Sequence, residues 1–312
     1  MSSQPVQLDR FVFVAGRIES ANRSAFVAHY LPALKDDVYV AVVLIFDSGE
    51  WRRVGKFGWQ AVDIELDPSQ KDRYWVLGRD GQLAAVAGDD TKESKLDDRR
   101  PLGPMRGLDA VDGDVYAVGM KRDVFRLRDG QWARFDKGMA FDISKGADVE
   151  TLMKQRLGDV GGINAIVGFD QNETYAVGTK GEMWQGADGT WSKIETPTNV
   201  MLTDAAIVDD EVIACGLAGT LVRGRGTNWR VVEYDGVQDL DFAAIACRGK
   251  EVYLADGHSL RCLVGSTLEV VDLVQGTVVP SSQLDASQGL VLSVAGQEVF
   301  LGSTLNDWRS LL

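Results

Sequence analysis

The chain has 312 residues, of which 45% are hydrophobic, 25% charged and 34 glycine; 33 basic against 46 acidic residues leave a formal charge of −13. This composition excludes intrinsic disorder, collagen and a disulfide-stapled mini-protein. So negative a chain repels phosphate backbones and anionic lipid headgroups, so neither nucleic acid nor a membrane is an expected partner.

The N-terminus, MSSQPVQLDRFVFVAGR, lacks the cationic start and long apolar run of a signal peptide. No run of about 18 apolar residues follows. The first four apolar runs are FVFVAG (11–16), SAFVAHY (24–30), VYVAVVLIF (38–46) and EWRRV (50–54). A clearer copy of the same four-run unit spans 108–135: LDAV, DGDVYAVG, MKRDVFRLRDG and QWARF. Further copies begin at Ile163, at Leu202 and, in degenerate form, at Phe242. In each, short apolar runs alternate with Gly- or Asp-rich turns, the pattern of strands covered on both faces. The glycine after runs such as VYAVG and VIACG is expected to end the strand and permit the turn.

A tryptophan near the start of the fourth run measures the period. It stands at Trp51, Trp132, Trp191, Trp229 and Trp308. The gaps of 81 and 79 residues are each two steps of about 40, with slots near residue 92 and at Leu268. Seven units result. Repeats of this length with four strands each predict an all-β, seven-bladed propeller of four-stranded antiparallel blades, read as one domain over 1–312. A blade cannot bury both faces alone; a ring of blades can. Each blade is expected to be contiguous in sequence, the ring closing by packing of blade 1 on blade 7. The 59-residue gap from Trp132 to Trp191 marks an insertion at about 136–161. Its segment ADVETLMKQRL (147–157) places Val149, Leu152, Met153 and Leu157 on one helical face, with Gly158 as a stop. The expectation is a short helix that either covers the propeller rim or binds a partner.

The fourth-run entries DSGEW, RDGQW, ADGTW and GTNW resemble Asp-box (BNR-type) turns, ADGTWSK (187–193) most closely. Together with the YAVGxxG runs, the chain resembles the BNR-like and WD-repeat-like β-propeller superfamily over most of its length. The resemblance implies a propeller fold, which hosts many activities. Sialidases carry Asp-boxes with an arginine triad and a Tyr/Glu pair, but the arginines here fall mostly in turns and fourth strands.

Catalytic patterns are sparse. His29 and His258 lie in different units, away from any HxH, HExxH or CxxC spacing, so neither a metal site nor a cofactor is expected. The turn DGD (112–114) offers too few ligands for calcium. Cys215, Cys247 and Cys262 form an odd set with no close pair, which points to free thiols and a cytoplasmic, reducing location. Asp109, Asp204 and Asp241 recur beside the start of the first strand in three units, where a structural role is expected, capping turns with side-chain-to-backbone hydrogen bonds.

The turns are more informative. In an up-and-down blade, first-to-second and third-to-fourth turns share one end. There stand Asp112, Asp114, Asp170, Glu173, Asp209, Asp210 and Glu211, joined by Asp47, Glu50, Asp89, Asp90, Asp129 and Asp188. The opposite end carries Arg79, Lys121, Arg122 and Lys180 against Asp80 and Asp123. An acidic rim of this kind suits a basic protein partner. The expectation is a non-enzymatic, protein-binding propeller, monomeric before complex formation and needing no cofactor. Its specific form is a bacterial immunity protein that binds and blocks a basic effector toxin. Two alternatives stand beside it: a glycan-active hydrolase using axial carboxylates, and an assembly or chaperone-like factor for a larger complex.

Overall fold

Two-residue turns set the strand pairing. Asp112–Gly113, Asp129–Gly130, Asp188–Gly189 and Asp209–Asp210 all have positive φ at both positions. That is the geometry whose twist matches a right-handed hairpin, and Asp and Gly tolerate it best. The computed structural model describes residues 6–96, 102–139, 161–237, 239–273 and 277–312. In it the hairpins build seven antiparallel four-stranded sheets, at 11–57, 61–95, 105–134, 163–194, 202–231, 244–270 and 283–310. Each sheet keeps its strands in chain order. These are blades 1 to 7, and the seven-bladed propeller expected from the repeat is present.

The tryptophan ruler lands on the outermost strands. Trp51, Trp132, Trp191, Trp229, Leu268 and Trp308 each lie in the fourth strand of a blade, and the slot near 92 falls in Asp90–Lys95 of blade 2. Several of these rings reach the preceding blade. Trp132 stands edge-on to Trp75 at 5.6 Å, Trp229 to Tyr175 at 5.5 Å and Trp308 to Tyr253 at 6.0 Å. The core is accordingly divided into seven apolar clusters, one at each seam between neighbouring blades. Second strands are buried on both faces, Asp114–Gly119 along its entire length. Fourth strands such as Asp90–Lys95 are mostly exposed.

The first strands line the axis and touch one another in ring order, blade 7 meeting blade 1. Closure uses no exchanged strand. Phe13 N donates to Gly296 O at 2.6 Å, and Trp51 Nε1 donates to Leu311 O at 2.9 Å. Phe13, Phe26 and Trp51 fill the seam against Leu292, Val294 and Leu301.

One expectation about glycine is corrected. Gly178 ends the second strand of blade 4 in extended backbone (φ −169°), so it is not there to make a turn. A Cβ at Gly178 would stand 1.9 Å from Gly162 O, and one at Gly216 would stand 2.2 Å from Met201 O. The repeated glycine makes room for the chain that enters the first strand of the same blade.

The helix expected at 147–157, with Val149, Leu152 and Met153, lies outside the described residues, which break off after Met139 and resume at Gly161. The described chain resumes at the second-to-third-turn end, where Lys121 N donates to Gly161 O at 2.7 Å, and breaks off beside the outer strand of blade 4, where Lys137 O accepts from Trp191 N at 2.8 Å.

Candidate functional site

The acidic rim is built from hairpin tips of blades 3, 4 and 5. Its nine candidate carboxylates divide into two groups. Asp114 is 4% exposed and takes Arg128 at 2.5 Å and Arg126 at 3.7 Å. Glu173 is held by Arg225 Nε at 2.7 Å and also accepts from the Tyr175 hydroxyl at 2.9 Å. Glu211 is clamped by Arg223 at 2.6 Å and Arg230 at 2.7 Å, and these hydrogen-bonded guanidiniums pull its pKa down to about 2. Asp209 has Arg223 at 3.4 Å and Lys250 at 4.0 Å. These four are neutralised within the fold.

The other five are not. Asp112, Asp129, Asp170, Asp188 and Asp210 are exposed, with no cation partner among the described residues. Four of them occupy positive-φ turn positions, and Asp170 Oδ1 caps its own turn by accepting from Asn172 N at 2.7 Å. The blades are stitched together beneath them: Arg128 bridges Asp114 to Gln171, and Gln171 Nε2 donates to Asp112 O at 3.3 Å. Free negative charge is thus carried on a rigid floor of paired arginines. The sequence shows the acids but hides the neutralising arginines, although RLRDG and VRGRG place them just before the third-to-fourth turns, beside the acids of their own or the preceding blade.

The axial channel encloses a cavity of about 590 Å³. Asp63, Asp109, Asp204 and Asp285 project from the first strands of blades 2, 3, 5 and 7. Each carboxylate accepts a backbone N–H from the next blade's first strand: Leu108 at 2.9 Å, Ile166 at 2.8 Å, Ile245 at 2.9 Å and Ile18 at 2.7 Å. They tie blade to blade. Arg17 of blade 1 donates to Glu65 at 2.8 Å, to Asp63 at 3.2 Å and to Leu108 O at 3.0 Å. Burial alone would lower the Arg17 pKa, but Asp63, Glu65 and Asp285 hold it well above its usual value. Burial raises the carboxyls, Glu65 to about 7 and Asp204 to about 6, with Asp63, Asp109 and Asp285 also raised.

Asp109 and Asp204 therefore have the structural role expected of them, though between blades and not in turns. Asp241 does not join them. It lies outside the channel lining and accepts from Ala218 N at 2.9 Å. Sequence reading missed Asp63 and Asp285, whose signal was an Asp at matching positions in VDIE and QLDA. His29 is buried, its Nε2 accepting from Ala61 N at 3.1 Å, and burial lowers its pKa. The three cysteines are free, Cys215 and Cys262 buried.

No family model matches the chain. Solved propellers superpose over nearly its whole length: YCF48 bound to D1 peptide (TM-score 0.65, 15% identity, covering 96% of this chain and 95% of that one) and the WD40 propeller domain of Doa1 (0.65, 15%, 99% and 95%). YCF48 from Cyanidioschyzon merolae gives 0.63 at 13% identity, covering 94% and 95%. At these identities the likeness concerns the fold alone. Sequence carries further in one case: "Immune protein Tsi7" of Pseudomonas aeruginosa is 31% identical over 286 residues, 87% of this chain and 89% of that protein. Identity at that level across nearly the full repeat array places this chain in the family of immunity proteins to which Tsi7 belongs.

Proposed function

We propose that the protein protects a bacterial cell by binding a basic effector toxin through its acidic hairpin-tip end and covering the toxin's working surface. The observation that carries this reading is the set of five exposed carboxylates without cation partners among the described residues, gathered on blades 3 to 5. Fixed charges on rigid turns accelerate encounter with a basic partner and lose little entropy on docking. The channel acids support a binding role over hydrolysis, since their oxygens hold neighbouring blades together. Three free thiols fit a cytoplasmic location, and we take the free protein to be a monomer.

The test uses a basic protein captured from cell extract with this chain as bait, and capture of nothing basic counts against the proposal. Stopped-flow association is followed from low to high salt with the wild type and with D112K/D170K/D210K. The reversal is expected to slow association at least tenfold at low salt and to flatten its salt dependence. An unchanged rate with an unchanged salt dependence removes the rim from the interface.

A further inference from the structure

The outer side of blade 1 is locally basic on a chain of net charge −13. Its fourth strand, Glu50–Phe57, is the longest of the seven outer strands and reads EWRRVGKF. Arg52, Arg53 and Lys56 are exposed, and none has a carboxylate partner among the described residues. Some outer-strand arginines elsewhere are neutralised, Arg134 by Asp123 and Asp136 and Arg230 by Glu211, whereas Arg309 of blade 7 is exposed with no carboxylate partner among the described residues. Beside the three cations runs a groove of about 980 Å³ on the outer side of blade 1, floored by Phe11, Tyr30, Val42 and Trp51. Arg10, stacked 4.8 Å from the Tyr30 ring, adds a fourth positive charge at its wall. The groove runs along blade 1 from Trp51, beside the Ser48–Gly49 turn, to Tyr30 and Val40, which join through a backbone bond beside the second-to-third turn.

Edge protection accounts for one or two charged residues on an outer strand. It does not account for four uncompensated cations around an aromatic floor on a chain of net charge −13. Charge complementarity selects the occupant. A basic segment is repelled, whereas an acidic one gains from four cations and can seat an apolar side chain on Tyr30 and Trp51. Nucleic acid is disfavoured because its closely spaced phosphates extend past the four cations into the field of the whole molecule, whereas a short acidic segment stays beside them.

We propose that this groove docks an extended acidic segment of a partner protein, with an aromatic or aliphatic side chain of that segment packed over Tyr30 and Trp51. Because the groove lies on blade 1 and the free carboxylates on blades 3 to 5, both can be occupied at once, and the inference stands whether or not the rim binds a toxin.

The probe is an array of labelled decapeptides with alternating apolar residues whose charged positions run from all Glu to all Lys. Binding to the full chain is read by fluorescence anisotropy. Acidic members are expected to bind saturably, with affinity falling as salt rises. R53E/K56E, two exposed sites, should lose at least tenfold while its thermal melt stays within a few degrees of the wild type. The rim variant D112K/D170K/D210K should bind the acidic peptides like the wild type. The proposal is overturned if no peptide binds, if basic or neutral peptides bind equally, or if R53E/K56E retains binding. A duplex oligonucleotide competing as well as the acidic peptides, or self-association of the chain through this groove, would overturn it too.

Discussion

At the residue scale, the most consequential group is the buried ionic cluster on the axis. Glu65, Asp204 and their neighbours are harder to ionise in the fold than in the unfolded chain, chiefly because burial removes their water. The folded state therefore holds more protons than the unfolded one between the usual carboxyl pKa of about 4 and the raised values near 7 and 6. Stability from this cluster is full at the lower pH and declines as pH rises through that window. The surface acids Glu211 and Glu173 have lowered pKa values, so their contribution is kept throughout it and lost only toward stronger acid. Melting temperature should rise from pH 7.5 to pH 5.5, and Glu65→Gln should flatten that rise. Differential scanning calorimetry at both pH values measures it, and an E65Q slope equal to the wild type would rule out Glu65 as the source.

At the element scale, the repeat is maintained by close approach as much as by hydrophobic pattern. Gly178 and Gly216 occupy the same place in blades 4 and 5, each with a backbone carbonyl where a Cβ would go. Gly178→Ala should force the entering strand aside and cost about 1–3 kcal/mol, the range for overpacking a filled site. In contrast, Gly249→Ala sits at a turn with open space around it, and the cost there comes only from its φ of +59°, about 1 kcal/mol. Urea melts of the two variants order them; a milder effect at Gly178 than at Gly249 would refute the steric reading. Sequence showed this glycine as punctuation because its period is visible. The carbonyl it faces belongs to another stretch of chain and is not.

For the whole molecule, blades 1 and 7 are the first and last in chain order, so no chain runs from one to the other and packing must hold their seam. Phe26 is fully buried there, at 5.6 Å from Phe13 and 5.1 Å from Trp51. Phe26→Ala should cost about 3–5 kcal/mol and raise hydrogen exchange first in the strands at 11–20 and 290–295. Exchange that rises evenly over all seven blades would show that the seam is no weaker than the rest.

Much was fixed by local sequence. Spacing of Trp51, Trp132, Trp191, Trp229 and Trp308 determined blade number, because each blade repeats one hairpin pair and the period counts them. Strand direction alone determined that the acidic tips share an end. Which of those tips carry free charge was decided only in three dimensions, since Arg225 reaches Glu173 across 52 residues. The axial ties had the same origin: Asp63 meets Arg17 and Leu108 only when the ring is formed. Hydrophobic period and turn chemistry act over a few residues and are written in order along the chain. Charge pairing acts through space between blades, so it becomes legible only when the ring closes and places distant side chains side by side.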